Sequence, residues 1–291
     1  MTGTSTRRFL MCPPTFFDVQ YAINPWMRVG DQVDPAGAQR QWHSLKATLE
    51  GLGHQVEEMA PQPGLPDLVF AANGGIVIGA KAMAPAFRFT ERAAETPFYT
   101  DALQQRGYER VADPHALNEG EGDFLLVGST ILAGSGFRSD PLAAHEVGAY
   151  FGLPVVSLTL TDPRFYHLDT ALSVLDSDTV AYLPGAFDAA SRAKLAELFP
   201  DAIIAEEEDA QKLGLNLVSD GHNVVMSAEA PNLAKAFAAR GYAVHPIEFG
   251  EFRKAGGGIK CCLLTLHDAP STAAEPSTAA ASWAASAGTA C

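Results

Sequence analysis

Short apolar runs recur along the chain, each entered from a small or polar turn. Asn73-Gly74-Gly75 leads into Ile76-Val77-Ile78, and Gly122-Asp123 leads into Phe124-Leu125-Leu126-Val127. His167-Leu168-Asp169-Thr170 leads into Ala171-Leu172, and Asn216 precedes Leu217-Val218, with Asn223-Val224-Val225-Met226 close behind. The last run goes from Gly258 to Leu266. These starts, near 73, 122, 167, 216 and 258, fall at a nearly constant spacing. A second series keeps step with the first. Helical stretches at 39–52, 97–106, 141–151, 188–199 and 231–240 each stop at Gly or Pro and pass into a short strand pattern. Gly just past the last periodic residue is the expected helix stop. Most units also hold a second strand run, as in Ala171–Leu175 with Thr179–Leu183, turned by Asp176-Ser177-Asp178. Each unit therefore reads strand, strand, helix, strand. Five such units predict a five-bladed α/β propeller whose polar turns converge on one central site. The competing reading is a doubly wound α/β sheet with accidental periodicity, and the two synchronised series argue against it.

The propeller is expected to occupy 1–268 as a single catalytic domain. From 269 to 291 the chain is rich in Ala, Ser and Thr with almost no charge, a low-complexity tail expected to be disordered. The net charge of −14 disfavours nucleic acid or an anionic membrane as partner and suits a cationic small molecule. Four cysteines, two of them adjacent, form no disulfide framework and no zinc spacing, so a structural metal is not expected. No apolar run has membrane-spanning length, and a cytoplasmic protein is expected. Glu206-Glu207-Glu208-Asp209 reads as a solvated face.

Candidate chemistry centres on Gly256-Gly257-Gly258-Ile259-Lys260-Cys261-Cys262. A thiol where a glycine turn enters a buried strand is held rigidly and reached from the turn side. The same residues also suit a plain glycine loop followed by two inert core cysteines. If the turns converge, Cys261 meets Asn73, Glu119 or Glu121, Asp123, His167 and Asp169. A thiolate with an imidazole is a nucleophile–base pair. Neighbouring carboxylates would raise the thiol's pKa, which makes sense where the substrate carries the compensating charge, as a guanidinium does.

The segments Glu119-Gly120-Glu121-Gly122-Asp123, Phe165-Tyr166-His167-Leu168-Asp169-Thr170 and Gly256 to Cys261 together resemble the guanidine-modifying (pentein) superfamily. That group contains arginine deiminases, dimethylargininases, amidinotransferases and arginine dihydrolases, and the likeness runs from about Phe9 to Leu266. The resemblance implies Cys261 as nucleophile, His167 as general acid and then base, and Glu119 with Asp169 on the guanidinium nitrogens. It implies Arg138 and Arg92 as ligands of a substrate carboxylate, although surface ion pairing is an equal reading of Arg92. Asn73, where deiminases and dimethylargininases usually carry an acid, resembles the arginine dihydrolase branch, as do Met11-Cys12-Pro13-Pro14-Thr15 and the stretch from Asp18 to Met27. Asp18 and Asn24 become substrate-side candidates by the same resemblance. The reaction implied is hydrolysis of arginine to ornithine, ammonia and carbon dioxide through a covalent thiouronium, with no metal or organic cofactor. Dimethylarginine hydrolysis, arginine deimination, amidino transfer and a non-catalytic arginine-binding protein are the alternatives. The oligomeric state is left open.

Overall fold

The computed structural model describes residues 6–108 and 110–268. The segment 269–291, expected to be a disordered tail, lies outside the described residues. Five three-stranded sheets are arranged as a five-bladed α/β propeller. Four of the five sheets have the same connectivity. A first strand turns back antiparallel into a second, a helix crosses over, and a third strand lies parallel to the second.

The blades follow the two series in the sequence. Ile76–Ile78, Lys81–Met83 and Val111–Ala112 form one blade, and Phe124–Val127, Thr130–Ser135 and Val155–Thr159 the next. Leu172–Val174, Val180–Tyr182 and Ile203–Ile204 follow, then Val218–Ser219, Asn223–Ser227 and Ala243–Ile247. The fifth blade is shared by the two ends of the chain. Leu264–Thr265 pairs antiparallel with Arg8–Met11, which pairs parallel with Gln55–Glu58. This pairing closes the ring.

The crossover helices Pro35–Gly51, Thr96–Gln104, Ala143–Phe151, Ala189–Leu198 and Pro231–Ala239 lie within a few residues of the expected stretches. Local chemistry sets their ends. Asp34 accepts a hydrogen bond from Ala36 N at 3.1 Å ahead of Pro35, and Asp188 accepts one from Ser191 N at 2.7 Å. Gly152 adopts φ 73° just past its helix, a conformation that suits a residue without Cβ. Trp42, Leu45 and Leu49 bury one helix face, and Tyr99 and Leu103 bury another. Removing those faces from water stabilises the fold by roughly 2 kcal/mol per large side chain.

Of the five polar turns that the sequence predicts at the starts of the first strands, four are single helical turns in the structure and the fifth, at Asn216, is not helical. The four are Ala71–Gly74, Gly120–Gly122, Leu168–Ala171 and Lys260–Cys262. Each ends directly against its strand, so the polar side chains project at one end of the propeller axis.

Candidate active site

The converging turns are tied to one another in succession around the axis. Asn73 Nδ2 donates to Glu119 O at 3.0 Å, and Glu119 Oε2 lies 2.7 Å from His167 Nε2. Asn216 Nδ2 donates to Asp169 O, and Asn216 Oδ1 accepts from Cys261 N, both at 3.0 Å. Cys261 Sγ lies 3.5 Å from Asp169 Oδ2. Every blade thus contributes one polar turn. The three glycines before Cys261 are explained by close approach. A Cβ on Gly256 would meet Asn24 at 2.7 Å, one on Gly257 would meet the Phe70 ring at 2.1 Å, and one on Gly258 would meet Asn216 at 2.7 Å.

Glu119 is the most heavily partnered group. Its carboxylate takes Arg138 Nη1 at 2.8 Å, His167 Nε2 at 2.7 Å and Arg88 N at 3.2 Å. Burial alone would raise its pKa, but Arg138 and His167 hold it well below the usual carboxylate range. Arg138 is sandwiched between the rings of Phe89 and Tyr166 and donates from Nη2 to Ile23 O at 3.0 Å. Asp123 sits beneath, accepting from Leu168 N at 3.0 Å and from Ser139 Oγ at 2.6 Å, and so fixes the turn that carries His167. Glu121 faces the other way, toward Lys260 Nζ at 2.8 Å, His267 Nε2 at 2.6 Å and Thr265 N at 2.6 Å.

Around Cys261 the balance is reversed. Burial pushes the thiol pKa up, and the Asp169 carboxylate adds to the effect. Burial also raises Asp169, to about 6. Asp169 Oδ1 and His167 Nδ1 are buried and have no hydrogen-bond partner among the described residues. Unsatisfied buried polar atoms are costly, by roughly 1–3 kcal/mol each. A cluster of them facing a nucleophile is what a polar, cationic ligand would satisfy.

The remaining candidates are distributed unevenly. A strand-free segment, residues 13–33, straps over this end of the propeller. Tyr21 donates to Asp67 at 3.0 Å, Asn24 Nδ2 donates to Ala255 O at 3.0 Å, and Trp26 Nε1 donates to Arg164 O at 2.8 Å. Asn24 therefore braces the Gly256 turn. Asp18, on the same strap, is exposed, and its carboxylate accepts from its neighbour Val19 N at 2.9 Å. No described contact joins Asp18 to the converging turns. Arg92 is not a surface residue but 3% exposed. It makes a two-pronged pair with Glu95, at 2.9 and 2.7 Å, and donates from Nη1 to Asn73 Oδ1 at 2.7 Å and from Nη2 to Asp67 O at 3.2 Å. Its fork is committed to Glu95, Asn73 and the Asp67 carbonyl. Cys12, which could pack or line the site, is buried in the core with its pKa pushed up to about 12 by burial.

Two residues were missed. Asn216 was visible only as the start of a repeat, and it holds both Cys261 N and the Asp169 backbone. Asp67, readable as a strand cap, is 1% exposed with Oδ1 unpartnered, and burial raises its pKa. Among the described residues no group of three or more His, Cys, Asp or Glu could hold a metal ion. No helix of the described residues is long and apolar enough to cross a membrane.

No family model matches the chain. It is 50% identical over 262 residues to an N(G),N(G)-dimethylarginine dimethylaminohydrolase of Mycobacterium tuberculosis, covering 90% of this chain and 86% of that protein. It is 38% identical over 273 residues to AgrE of Nostoc sp., a bifunctional arginine dihydrolase/ornithine cyclodeaminase, covering 91% of this chain but only 38% of that protein. Among solved structures it matches the N-terminal domain of the cyanobacterial arginine dihydrolase ArgZ, in a form covalently bound to a reaction intermediate. The TM-score is 0.87 at 34% identity, over 90% of this chain and 98% of that one.

Proposed function

The chain belongs to the guanidine-modifying family of dimethylarginine dimethylaminohydrolases and arginine dihydrolases, and from that premise we propose that it hydrolyses a C–N bond of a guanidinium group, that of arginine or a close analogue. The observation that carries this reading is the uncompensated pair of Cys261 and Asp169 beside the fully paired Glu119. A guanidinium set between the two carboxylates supplies the charge that the thiol needs to ionise. Cys261 Sγ then attacks the guanidinium carbon, and the C–N bond breaks as His167 passes a proton to the leaving amine. His167 next takes a proton from water, which attacks the thiouronium carbon and releases the thiolate. Arg138, stacked between two rings with its guanidinium only partly committed, is the better placed of the two arginines for a substrate carboxylate. Arg92 acts through Asn73, which it positions.

We assign arginine as substrate and ornithine as final product, on the evidence of Asn73. Its amide donates to Glu119 O and accepts from Arg92, so an acid there would set a carboxylate against a carbonyl oxygen. A neutral residue also tolerates the neutral ureido group of a citrulline-like intermediate, which permits a second hydrolysis. Dimethylarginine hydrolysis is the second reading, favoured by the 50% identity to the mycobacterial relative. Mass spectrometry of products from arginine, dimethylarginine and citrulline, each incubated separately, decides between them. Ornithine from arginine is expected, and Asn73→Asp is expected to shift the product toward citrulline. Consumption of dimethylarginine alone would establish the second reading. Unchanged ornithine output from Asn73→Asp would remove Asn73 from the argument.

A further inference from the structure

In four blades the first strand starts at the catalytic turns and runs to a hairpin turn at the opposite end of the axis. At that end lies a cavity of about 570 Å³. It is lined by Gly128, Ser177 and Gly221, from the hairpin turns of three blades, together with Arg7 and His267 where the shared blade begins and ends. At roughly 30 Å³ per water, it has room for more than a dozen. Its inner end is formed by Asp169 and Lys260. The strap of residues 13–33 closes the other end of the axis, over Asp67, Arg138 and the Gly256 turn. The cavity is therefore separate from the mouth that the strap covers, and one side chain divides it from the nucleophile. Asp169 Oδ2 touches Cys261 Sγ, while Oδ1 has no partner among the described residues. Beside Asp169, Lys260 Nζ is latched to Glu121 Oε2 and Leu263 O, both at 2.8 Å.

The chemistry proposed above creates a traffic problem. When the C–S bond forms and the C–N bond breaks, the amine leaves with a proton from His167. The rest of the substrate stays covalently fixed to Cys261 and fills the mouth by which it entered. Water must then reach the thiouronium carbon, form the C–O bond and release the thiolate. Asp169 is one of the two carboxylates set against the guanidinium nitrogens, so a nitrogen departing from its side lies against the cavity wall. We propose that the axial cavity is a second passage to the nucleophile, taking the small leaving amine out and water in while the substrate remainder still occupies the strap side. Asp169 is its inner gate, with the Lys260–Glu121 latch beside it. Farther out on the wall the Asp176, Asp178 and Asp220 carboxylates outnumber Arg7 and Arg8, a balance that favours an ammonium ion leaving over an anion entering. This inference rests on the hydrolase reading.

The test plugs the passage reversibly in folded enzyme. Ser177 is exposed on its hairpin turn, and its side chain bonds only to the adjacent Asp178. Ser177→Cys, in a Cys291→Ser background, is to be labelled with a bulky aromatic methanethiosulfonate, with Cys261 verified unmodified by peptide mass mapping, and later released with reductant. Rapid-quench mass spectrometry follows the arginine-derived adduct on Cys261. The expected result is adduct formation at the unlabelled rate, turnover slower by about five- to tenfold and a matching rise in adduct occupancy, all reversed by reductant. Thr179→Trp, deeper on the same wall, should lengthen the adduct's lifetime in the same way. The passage is overturned if full labelling and Thr179→Trp both leave the adduct's lifetime unchanged. It is also overturned if only adduct formation slows, since that reports damage to the site. Absence of any turnover of arginine, dimethylarginine or citrulline by the unlabelled enzyme would instead sink the hydrolase reading, and the passage with it.

Discussion

Glu119 and Asp169 are both buried carboxylates on neighbouring turns, 0% and 1% exposed, yet their surroundings are opposite. Glu119 is clasped by Arg138, His167 and a backbone amide and stays ionised. Asp169 has a thiol against one oxygen and no hydrogen-bond partner among the described residues for the other, and burial raises its pKa to about 6. One side of the site is a finished frame that orients the imidazole. The other is short of a positive charge, and the proposed substrate brings it. The fold can hold such a deficit because the frame beside it is complete. Asp123, Asn216 and Glu121 tie each turn to its neighbours independently of the thiol.

The largest effect tests which thiol belongs to the deficit. Cys261→Ala is expected to remove at least about 10⁴-fold of kcat with little change in Tm. Cys262→Ala, in a fully buried core position, should keep turnover within a few-fold and lose about 1 kcal/mol of stability. Equal losses of kcat would erase the distinction between the two.

Substituting the two carboxylates tests the comparison itself. Glu119→Gln and Asp169→Asn should each lower kcat/KM by about 10²–10³-fold. Their stabilities should move in opposite directions. Glu119→Gln strands Arg138 and should cost about 3 kcal/mol. Asp169→Asn removes an uncompensated charge and should stabilise the fold, by up to about 2 kcal/mol at neutral pH. The sign follows from linkage. Asp169 holds its proton to about pH 6 when folded, whereas its ordinary value is 3.8. As pH rises between those values the unfolded chain gives up the proton first, so the wild type loses stability relative to Asp169→Asn. Above about pH 6 the difference is constant. Urea denaturation of both proteins at pH 4, 5, 6 and 7 reads it directly. A variant that is less stable than wild type across that range would mean that Asp169 is compensated after all.

Much of the frame could be read from the sequence because it is repeated. Helix stops such as Gly152 and the turn at Asp176 to Asp178 have strong local signals, and five copies in phase made them additive. The shared blade carried no such signal, because Arg8–Met11 and Leu264–Thr265 meet only when the ring closes. His167, Glu119 and Cys261 stood out through the family's motifs, and the geometry brings them into one site. Asn216 and Asp67 were hidden because their partners, Cys261 and Tyr21, lie 45 and 46 residues away, with no local pattern to mark them. Arg92 misled because a short Arg–Glu spacing on a polar helix looks like surface pairing until Phe87 and Asn73 are seen to enclose it. Asp209 misled likewise. It ends an acidic run, yet it is 1% exposed and accepts from Leu233 N at 2.6 Å.

The smallest effects fall on the strap and separate its bracing role from a charge role. Asn24 fixes the Gly256 turn through Ala255 O and folds its own segment by accepting from Trp26 N at 2.9 Å. Losing about 1 kcal/mol of such contacts should raise KM roughly fivefold in Asn24→Ala, with kcat nearly intact, because the turn precedes the nucleophile without touching the reacting atoms. Asp18 is exposed and bonds only to Val19 N, so Asp18→Ala should leave KM within about twofold. Its charge, if it steered a cationic substrate, would act through solvent and be screened within about 10 Å at 0.1 M salt. Measuring KM for both variants at low and high ionic strength separates the cases. A KM rise in Asp18→Ala that vanishes at high salt would give the strap an electrostatic part in capture. A salt-independent rise in Asn24→Ala alone would leave it a brace, which is what its hydrogen bonds describe.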